Sequence, residues 1–254
     1  MSLKKKLAGS GLALGSWITL AHPAIAEIMS KSGFDWLAVD LEHSVITIRE
    51  AEELIRVIEL CGVVPLVRLT WNDANQIKRV MDAGAHGVIV PMVNSPQAAA
   101  AAVAAARYPT VGKRGVGLAR AQGYGAAFGD YLQWQAEETI VIAQIEHIDA
   151  VRDIDAILST PGIDGYIIGP YDLSGSMGRP GDFDHPEVKE AMQQVKAAGE
   201  RHAIPGGLHI IEPDPKQLQE KIREGHQLIA YSLDIRMLDV ASRQGCQIGK
   251  QAST

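Results

Sequence analysis

At 254 residues the chain is long enough for one large α/β domain with a substantial core. Its composition, 46% hydrophobic and 21% charged with a mean hydropathy near zero, is that of an ordinary soluble protein and not of a fibrous, disordered or membrane-spanning one. A formal charge of −6 excludes a general attraction to nucleic acid or anionic membrane, so any anionic ligand must be held by local groups.

The N-terminus opens on Lys4, Lys5 and Lys6 and runs through an apolar stretch from Leu12 to Ile25. Gly15, Ser16, Trp17, His22 and Pro23 interrupt that stretch, and it falls short of the ~20 residues a bilayer span needs, so a cytoplasmic address is expected. Short apolar, β-branched runs then alternate with amphipathic ones. Strands are predicted over 14–19, 36–42, 64–70, 87–93, 140–146, 165–169, 206–211 and 227–233. Most are continuous apolar runs, the pattern of strands buried on both faces of a parallel sheet. Helices are predicted over 23–31, 47–60, 75–83, 96–106, 150–158, 186–202 and 215–224. Several start at a capping residue followed by proline, as in Ser95-Pro96, His185-Pro186 and Asp214-Pro215. Many end at a glycine such as Gly33, Gly62 or Gly84.

Eight strands joined by helical crossovers predict a single (β/α)₈ barrel over residues 1–254. No Gly-x-Gly-x-x-Gly follows the first strand, which weighs against a dinucleotide-binding fold. The alanine run 98–106 reads as a helix of high propensity. Residues 111–134, rich in Gly, Ala, Arg and Tyr, read as a long functional or mobile loop between strands four and five. Cys61 and Cys246 lack a CxxC partner and read as reduced thiols.

In such a barrel the chemistry sits at the C-terminal ends of the strands. Strand two ends in Asp40-Leu41-Glu42-His43, strand three in Val67-Arg68, strand five in Gln144-Ile145-Glu146, and strand six runs into Gly169-Pro170-Tyr171-Asp172. Glu146 and Asp172 on adjacent strands would repel each other unless a divalent cation lay between them. The oxygen-rich set favours Mg²⁺ or Mn²⁺ over Zn²⁺. Equally, Glu146 reads as the partner of an arginine and Asp172 as the cap of its turn. Arg68 can stabilise an enolate or bind a carboxylate, or form an ion pair with Glu42 or Asp40. His43, with Asp40 near it, is a candidate carboxylate-oriented base; the alternative is a hydrogen-bonded surface residue. His22, His147, His202 and His209 take the plain structural reading, His147 pointing away from the pocket. The turn at Gly169–Asp172 can offer the N–H groups of Tyr171 and Asp172 to an anion, or be a plain strand-to-helix turn. Gly112-Lys113-Arg114-Gly115 lacks the spacing of a Walker loop, while Arg114 and Arg120 are candidates for the acidic tail of a substrate.

These segments resemble, in order and over nearly the whole chain, the HpcH/HpaI-type class II pyruvate aldolases, relatives of 4-hydroxy-2-oxoheptanedioate aldolase and 2-dehydro-3-deoxyglucarate aldolase. The resembling pieces are Gly15-Ser16-Trp17, Gly33-Phe34-Asp35-Trp36, Asp40-x-Glu42-His43, Val67-Arg68, Val90-Pro91-Met92-Val93, Arg114-Gly115-Val116-Gly117, Gln144-Ile145-Glu146 and Ile168-Gly169-Pro170-Tyr171-Asp172-Leu173-Ser174. The resemblance implies a TIM barrel whose C-terminal helix is exchanged between subunits of a homo-oligomer, a hexamer built as a trimer of dimers. It implies a divalent ion, Mg²⁺ or Mn²⁺ with Co²⁺ as a further candidate, on Glu146 and Asp172. Gln144, Gly169, Pro170, Tyr171 and Asp172 match positions that hold the 2-oxoacid, and Trp17 and Leu208 are added as substrate contacts. Arg68 matches the enolate-stabilising residue, His43 the catalytic histidine with Asp40 beside it, and Asp82 an acid approaching the histidine of a neighbouring subunit.

The implied reaction cleaves or forms 4-hydroxy-2-oxoacids, with pyruvate, or hydroxypyruvate, as donor and an aldehyde as acceptor. No lysine lies at a strand end and Lys113 is in the loop, which disfavours a Schiff-base aldolase. Strand seven departs from part of the family by closing in Glu212-Pro213, leaving succinic semialdehyde, tartronate semialdehyde, lactaldehyde and glyceraldehyde all open as acceptors. A citrate-lyase-like carbon–carbon lyase acting on a CoA thioester is the second reading, and a non-catalytic 2-oxoacid-binding protein the third.

Overall fold

The computed structural model describes residues 2–9 and 11–251, so the expected domain range runs past the described residues at its ends. Eight parallel strands close into a barrel in sequence order: β1 Ala13–Ile18, β2 Trp36–Asp40, β3 Val64–Arg68, β4 Gly87–Val90, β5 Ile140–Ile145, β6 Gly165–Ile168, β7 Gly206–Ile210 and β8 Leu228–Leu233. β8 pairs back onto β1, with a bulge between Gly15 and Trp17. Each observed strand lies within a residue or so of its predicted start and stops one to three residues sooner than predicted, apart from the last.

Helices cover the outside. α1 Leu3–Ala8 precedes the barrel, and α2 Pro23–Ser30, α3 Ile48–Leu60, α4 Ala74–Asp82 and α5 Pro96–Ala106 follow the first four strands. α6 Phe128–Glu138 leads into β5, α7 Ile148–Arg152 and α8 Ile154–Leu158 follow it, and α9 Pro170–Ser176 and α10 Pro186–His202 follow β6. α11 Pro215–Arg223 and α12 Asp234–Gln251 complete the set. The N-caps are chemical: Thr47 and Glu50 form a reciprocal capping box on α3, and Asp73 accepts the N–H groups of Asn75 and Gln76 on α4.

Two expectations need correction. Residues 111–134 are not one long loop, because Arg120–Gly125 forms a 3₁₀ turn and α6 begins at Phe128. The helix expected over 150–158 starts earlier and is broken at Asp153 into α7 and α8. Among the described residues no helix is long and apolar enough to cross a membrane.

Strand periodicity sorts side chains into two layers. Val39, Val67, Val88, Ile145, Leu208 and Ile210 face outward and pack under the helices. Trp36, Ala38, Leu66, Ile89, Ile142, Ile167, Leu228 and Ala230 fill the barrel, and Leu3 and Leu7 of α1 pack into that same inner cluster beside Ile140. Gly15 is required for this filling, since a Cβ there would lie 2.0 Å from the Trp36 ring. Continuing the inward phase toward the strand ends exchanges apolar side chains for polar ones: Asp40 after Ala38, Arg68 after Leu66, and Gln144 then Glu146 after Ile142.

Candidate active site

The polar layer surrounds a pocket of about 310 Å³ at the C-terminal end of the barrel. It is lined by Trp17, Asp40, His43, Arg68, Gln144, Glu146, Gly169, Pro170, Tyr171, Asp172 and His209, together with Thr19, Ile167, Ile168, Ile211, Leu233 and Ile235. Residues from seven of the eight strand ends therefore meet at one mouth, as the fold requires.

Arg68 is fixed on two sides. Asp40 and Arg68 are direct register partners on β2 and β3, so their side chains emerge together. Nε and Nη2 of Arg68 donate to the two oxygens of Asp40 at 2.9 and 2.5 Å, a bidentate clamp. The guanidinium carbon lies 4.3 Å from the centroid of the Trp17 ring, a cation–π stack, and Glu42 Oε2 is 3.4 Å from Nε. Both ion pairs foreseen for Arg68 are present. They hold the guanidinium in place without removing it from the pocket.

Asp40 does not orient the His43 ring. Its carboxylate faces Arg68 and accepts the backbone N–H groups of Glu42 and His43, at 3.0 and 3.3 Å. The imidazole of His43 is largely exposed at the rim, and its nearest acid is Glu42, with Nε2 3.7 Å from Oε2. Glu42 was read from sequence only as a possible partner of Arg68. It is half-buried between Arg68, His43 and Gln144, and burial raises its carboxyl pKa above the ordinary range against the opposing pull of Arg68.

Glu146 is buried without a cationic partner. Its Oε1 accepts the Met92 N–H at 2.7 Å and its Oε2 accepts from Gln144 Nε2 at 2.5 Å. Met92 has a left-handed φ of 52°, which turns that N–H onto the carboxylate. Gly169 leaves the room the carboxylate occupies, because a Cβ there would sit 2.9 Å from Oε2. Burial, with Glu42 and Asp172 adding negative charge, pushes the Glu146 carboxyl up to about 7. Asp172 lies in the first turn of α9, exposed at the mouth. That turn leaves the N–H groups of Tyr171 and Asp172 without helical acceptors.

A divalent cation fits this donor set. Glu146 and Asp172 have no cationic partner on their side of the pocket, and Gln144 Oε1 is buried with no partner. Among the described residues no group of three or more His, Cys, Asp or Glu side chains forms a metal cage, so a cation here would draw on two carboxylates and complete its shell with small ligands.

Other expected site residues lie elsewhere. Leu208 is buried in the outer layer and does not line the pocket: on β7 it is the neighbouring His209 that has the inward phase. Asp82 ends α4 and pairs with Arg114 at 2.5 Å, away from the pocket. Arg114 is sealed by that pair and by Tyr131, whose hydroxyl accepts from Nη1 at 2.8 Å. Arg120 binds Glu59 and the carbonyl of Ala83. Neither arginine can reach a substrate tail at the mouth. His209 was missed: it shares the inward phase of Ile211, a phase that the local residues of β7 do not reveal. Its ring stands edge-on to Trp17, with centroids 5.6 Å apart.

Comparison with known proteins agrees with this geometry. The sequence profile described as HpcH/HpaI aldolase/citrate lyase matches residues 13–239. A hydroxypyruvate/pyruvate aldolase of Sagittula stellata is 40% identical over 230 residues, 90% of each chain. A 4-hydroxy-2-oxo-heptane-1,7-dioate aldolase of Salmonella paratyphi C is 39% identical over 231 residues, 89% of this chain and 85% of that one. A crystal structure of an HpcH/HpaI aldolase/citrate lyase family protein from Burkholderia cenocepacia superposes with a TM-score of 0.92 at 34% identity, covering 98% of both chains.

Proposed function

This chain belongs to the HpcH/HpaI aldolase/citrate lyase family, and from that footing we propose that it is a metal-dependent carbon–carbon lyase, a class II aldolase of 4-hydroxy-2-oxoacids. The donor released is pyruvate or hydroxypyruvate, and the partner product is an aldehyde. The observation that carries this reading is the convergence of clamped Arg68, cation-less Glu146 and exposed Asp172 on one pocket with room for a small oxoacid.

Glu146 and Asp172 would hold Mg²⁺ or Mn²⁺, with Co²⁺ as a further candidate. Such an ion supplies Lewis acidity toward the carboxylate and C2 oxygen of the donor. The protein does the rest. The first-turn N–H groups of Tyr171 and Asp172 take the donor carboxylate, with Gly169 and Pro170 shaping the turn and Gln144 reaching it from β5. Arg68 meets the C2 oxygen, where negative charge grows as the C3–C4 bond breaks. Because Asp40 and Trp17 already fix the guanidinium, little reorganisation is needed at that moment. His43, at the open rim with Glu42 beside it, receives the proton of the C4 hydroxyl at Nε2. The aldehyde then leaves toward solvent, and C3 of the enolate takes a proton back from the protonated His43 to give the free 2-oxoacid.

We take the assembly to be a homo-oligomer, a hexamer with α12 exchanged between subunits. In support, α12 buries only Asp234 among its residues and leaves Ile235, Leu238 and Ile248 exposed. In that assembly Asp82 would act at the histidine of a neighbouring subunit. Light scattering at several concentrations checks the size.

The experiment for the reaction is to offer pyruvate and hydroxypyruvate with a panel of aldehydes, in Mg²⁺ or Mn²⁺. Glu146→Gln and Asp172→Asn should each lose at least about a thousandfold in kcat/KM with their circular dichroism intact. Full activity after exhaustive chelation would falsify the reading.

A further inference from the structure

The pocket wall holds two polar atoms that nothing satisfies. Trp17 Nε1–H is a buried donor without an acceptor, and His209 Nε2 is a buried ring nitrogen without a partner. The two side chains touch edge to face. The other face of His209 is committed: the ring bonds the backbone of Ser232, and Ser16 Oγ donates to that same carbonyl at 3.1 Å. With its other nitrogen bonded to the Ser232 carbonyl, the ring carries its proton on Nδ1 and leaves Nε2 as an acceptor. Burial, with Arg68 adding its positive charge, holds the imidazole pKa down to about 4, so it stays neutral at working pH.

An unmatched donor beside an unmatched acceptor calls for one group that can do both. Carboxylates and carbonyls only accept, and ammonium groups only donate. A hydroxyl accepts from Trp17 Nε1–H and donates to His209 Nε2 in a single placement. The pair also has a defined neighbour, since the Trp17 ring is the surface on which the Arg68 guanidinium lies. Arg68 is the group assigned to the C2 oxygen of the donor, so Trp17 and His209 stand beside the C2–C3 end of the bound donor. Both atoms are buried in this structure, so the wall must part by about the width of a hydroxyl to admit one.

We propose that Trp17 and His209 together read the C3 hydroxyl of the donor, making this pocket selective for hydroxypyruvate, or another 3-hydroxy-2-oxoacid, over pyruvate. The inference rests on the aldolase reading for which donor carbon is meant, but not for the pairing of the two atoms. His209 is here a specificity-determining residue and takes no proton in the reaction.

The test compares kcat/KM for hydroxypyruvate and for pyruvate with one fixed aldehyde. In His209→Asn, which keeps an amide at the Nδ1 position and loses the Nε2 acceptor, the hydroxypyruvate-to-pyruvate ratio should fall about tenfold, mostly in KM, the size of one lost hydrogen bond. His209→Gln, which returns an amide oxygen to the Nε2 position, should restore most of the ratio. A purely structural role would lower both donors together, and an unchanged ratio in both variants overturns the proposal. A second measurement needs no variant and no turnover. In the wild-type protein with Mg²⁺, the ¹⁵N resonance of His209 Nε2 should move on adding hydroxypyruvate and stay in place with pyruvate. Equal movement with both ligands, or none with either, overturns the proposal. Wild-type protein that turns over neither donor, yet shows the selective ¹⁵N shift, would sink the aldolase reading and leave hydroxyl recognition standing.

Discussion

Arg68 and Arg114 make nearly the same contacts in two different parts of the molecule. Each binds an aspartate at 2.5 Å, Asp40 in one case and Asp82 in the other. Each lies over an aromatic ring, Trp17 at 4.3 Å and Tyr108 at 4.6 Å. Their surroundings differ. Arg68 ends β3 and opens on the pocket, whereas the side chain of Arg114, where α4, α5 and α6 meet, is 0% exposed. An arginine clamped by an acid and an aromatic is therefore not in itself a catalytic device. It becomes one where the clamp leaves an edge of the guanidinium facing an open, ligand-sized space. Otherwise it is a buried ion pair holding the helical layer together.

The largest expected effect separates these two roles. Arg114→Ala should cost about 3–5 kcal/mol of stability in urea unfolding, because it leaves Asp82 and Tyr131 facing a hole where a buried charge was paired. Arg68→Lys should cost about a hundredfold in kcat/KM, since one ammonium cannot keep the bidentate clamp and reach the donor oxygen together. Its unfolding midpoint should change much less. If Arg114→Ala unfolds like the parent, or Arg68→Lys turns over like it, the distinction fails.

The same contrast explains what could be read in advance. All eight strands were legible because each is an apolar run set off from amphipathic neighbours, and Asp40, Arg68, Gln144 and Glu146 stood out as polar residues at the ends of those runs. Nothing local distinguished Arg114 from Arg68, since burial between three helices is set by chain segments far apart in sequence. α6 was hidden by the Gly-rich stretch before it, and α9 is too short to have a period. Leu208 and His209 show a parity error: both sit in one strand, and only the register of the closed barrel decides which points inward.

A second test concerns charge balance, where the regions differ again. Asp82 has a guanidinium on it, while Glu146 has none. The fold raises the Glu146 carboxyl from its ordinary value near 4.5 to about 7, so the protonated form is the one the metal-free protein favours. That contribution is complete below about pH 4.5 and is lost as the pH rises through about 7, on the order of 3 kcal/mol across the window. Urea unfolding in chelator should therefore show the stability of the wild type falling relative to Glu146→Gln between pH 5 and 8. Mn²⁺ should stabilise the wild type more at pH 8 than at pH 5, since the ion binds the ionised carboxylate. Parallel curves for the two proteins would mean that Glu146 already has a compensating charge.

The smallest effect tests whether the two regions are independent. Tyr131→Phe removes only the hydroxyl oxygen that accepts from Arg114 Nη1 at 2.8 Å. The ring stays, stacked on Trp134 with centroids 5.5 Å apart, so no cavity opens. Arg114 Nε is already without a partner, and a second unsatisfied donor on the same buried guanidinium should cost about 2 kcal/mol. Tyr131 has no contact with the mouth, so that loss should appear in unfolding and leave the KM for the 2-oxoacid donor within about twofold of the parent. A KM that moved in step with the stability would mean that the helical layer around Arg114 sets the geometry of the pocket. The two arginines would then belong to one mechanical unit, with the sealed pair tuning the open one.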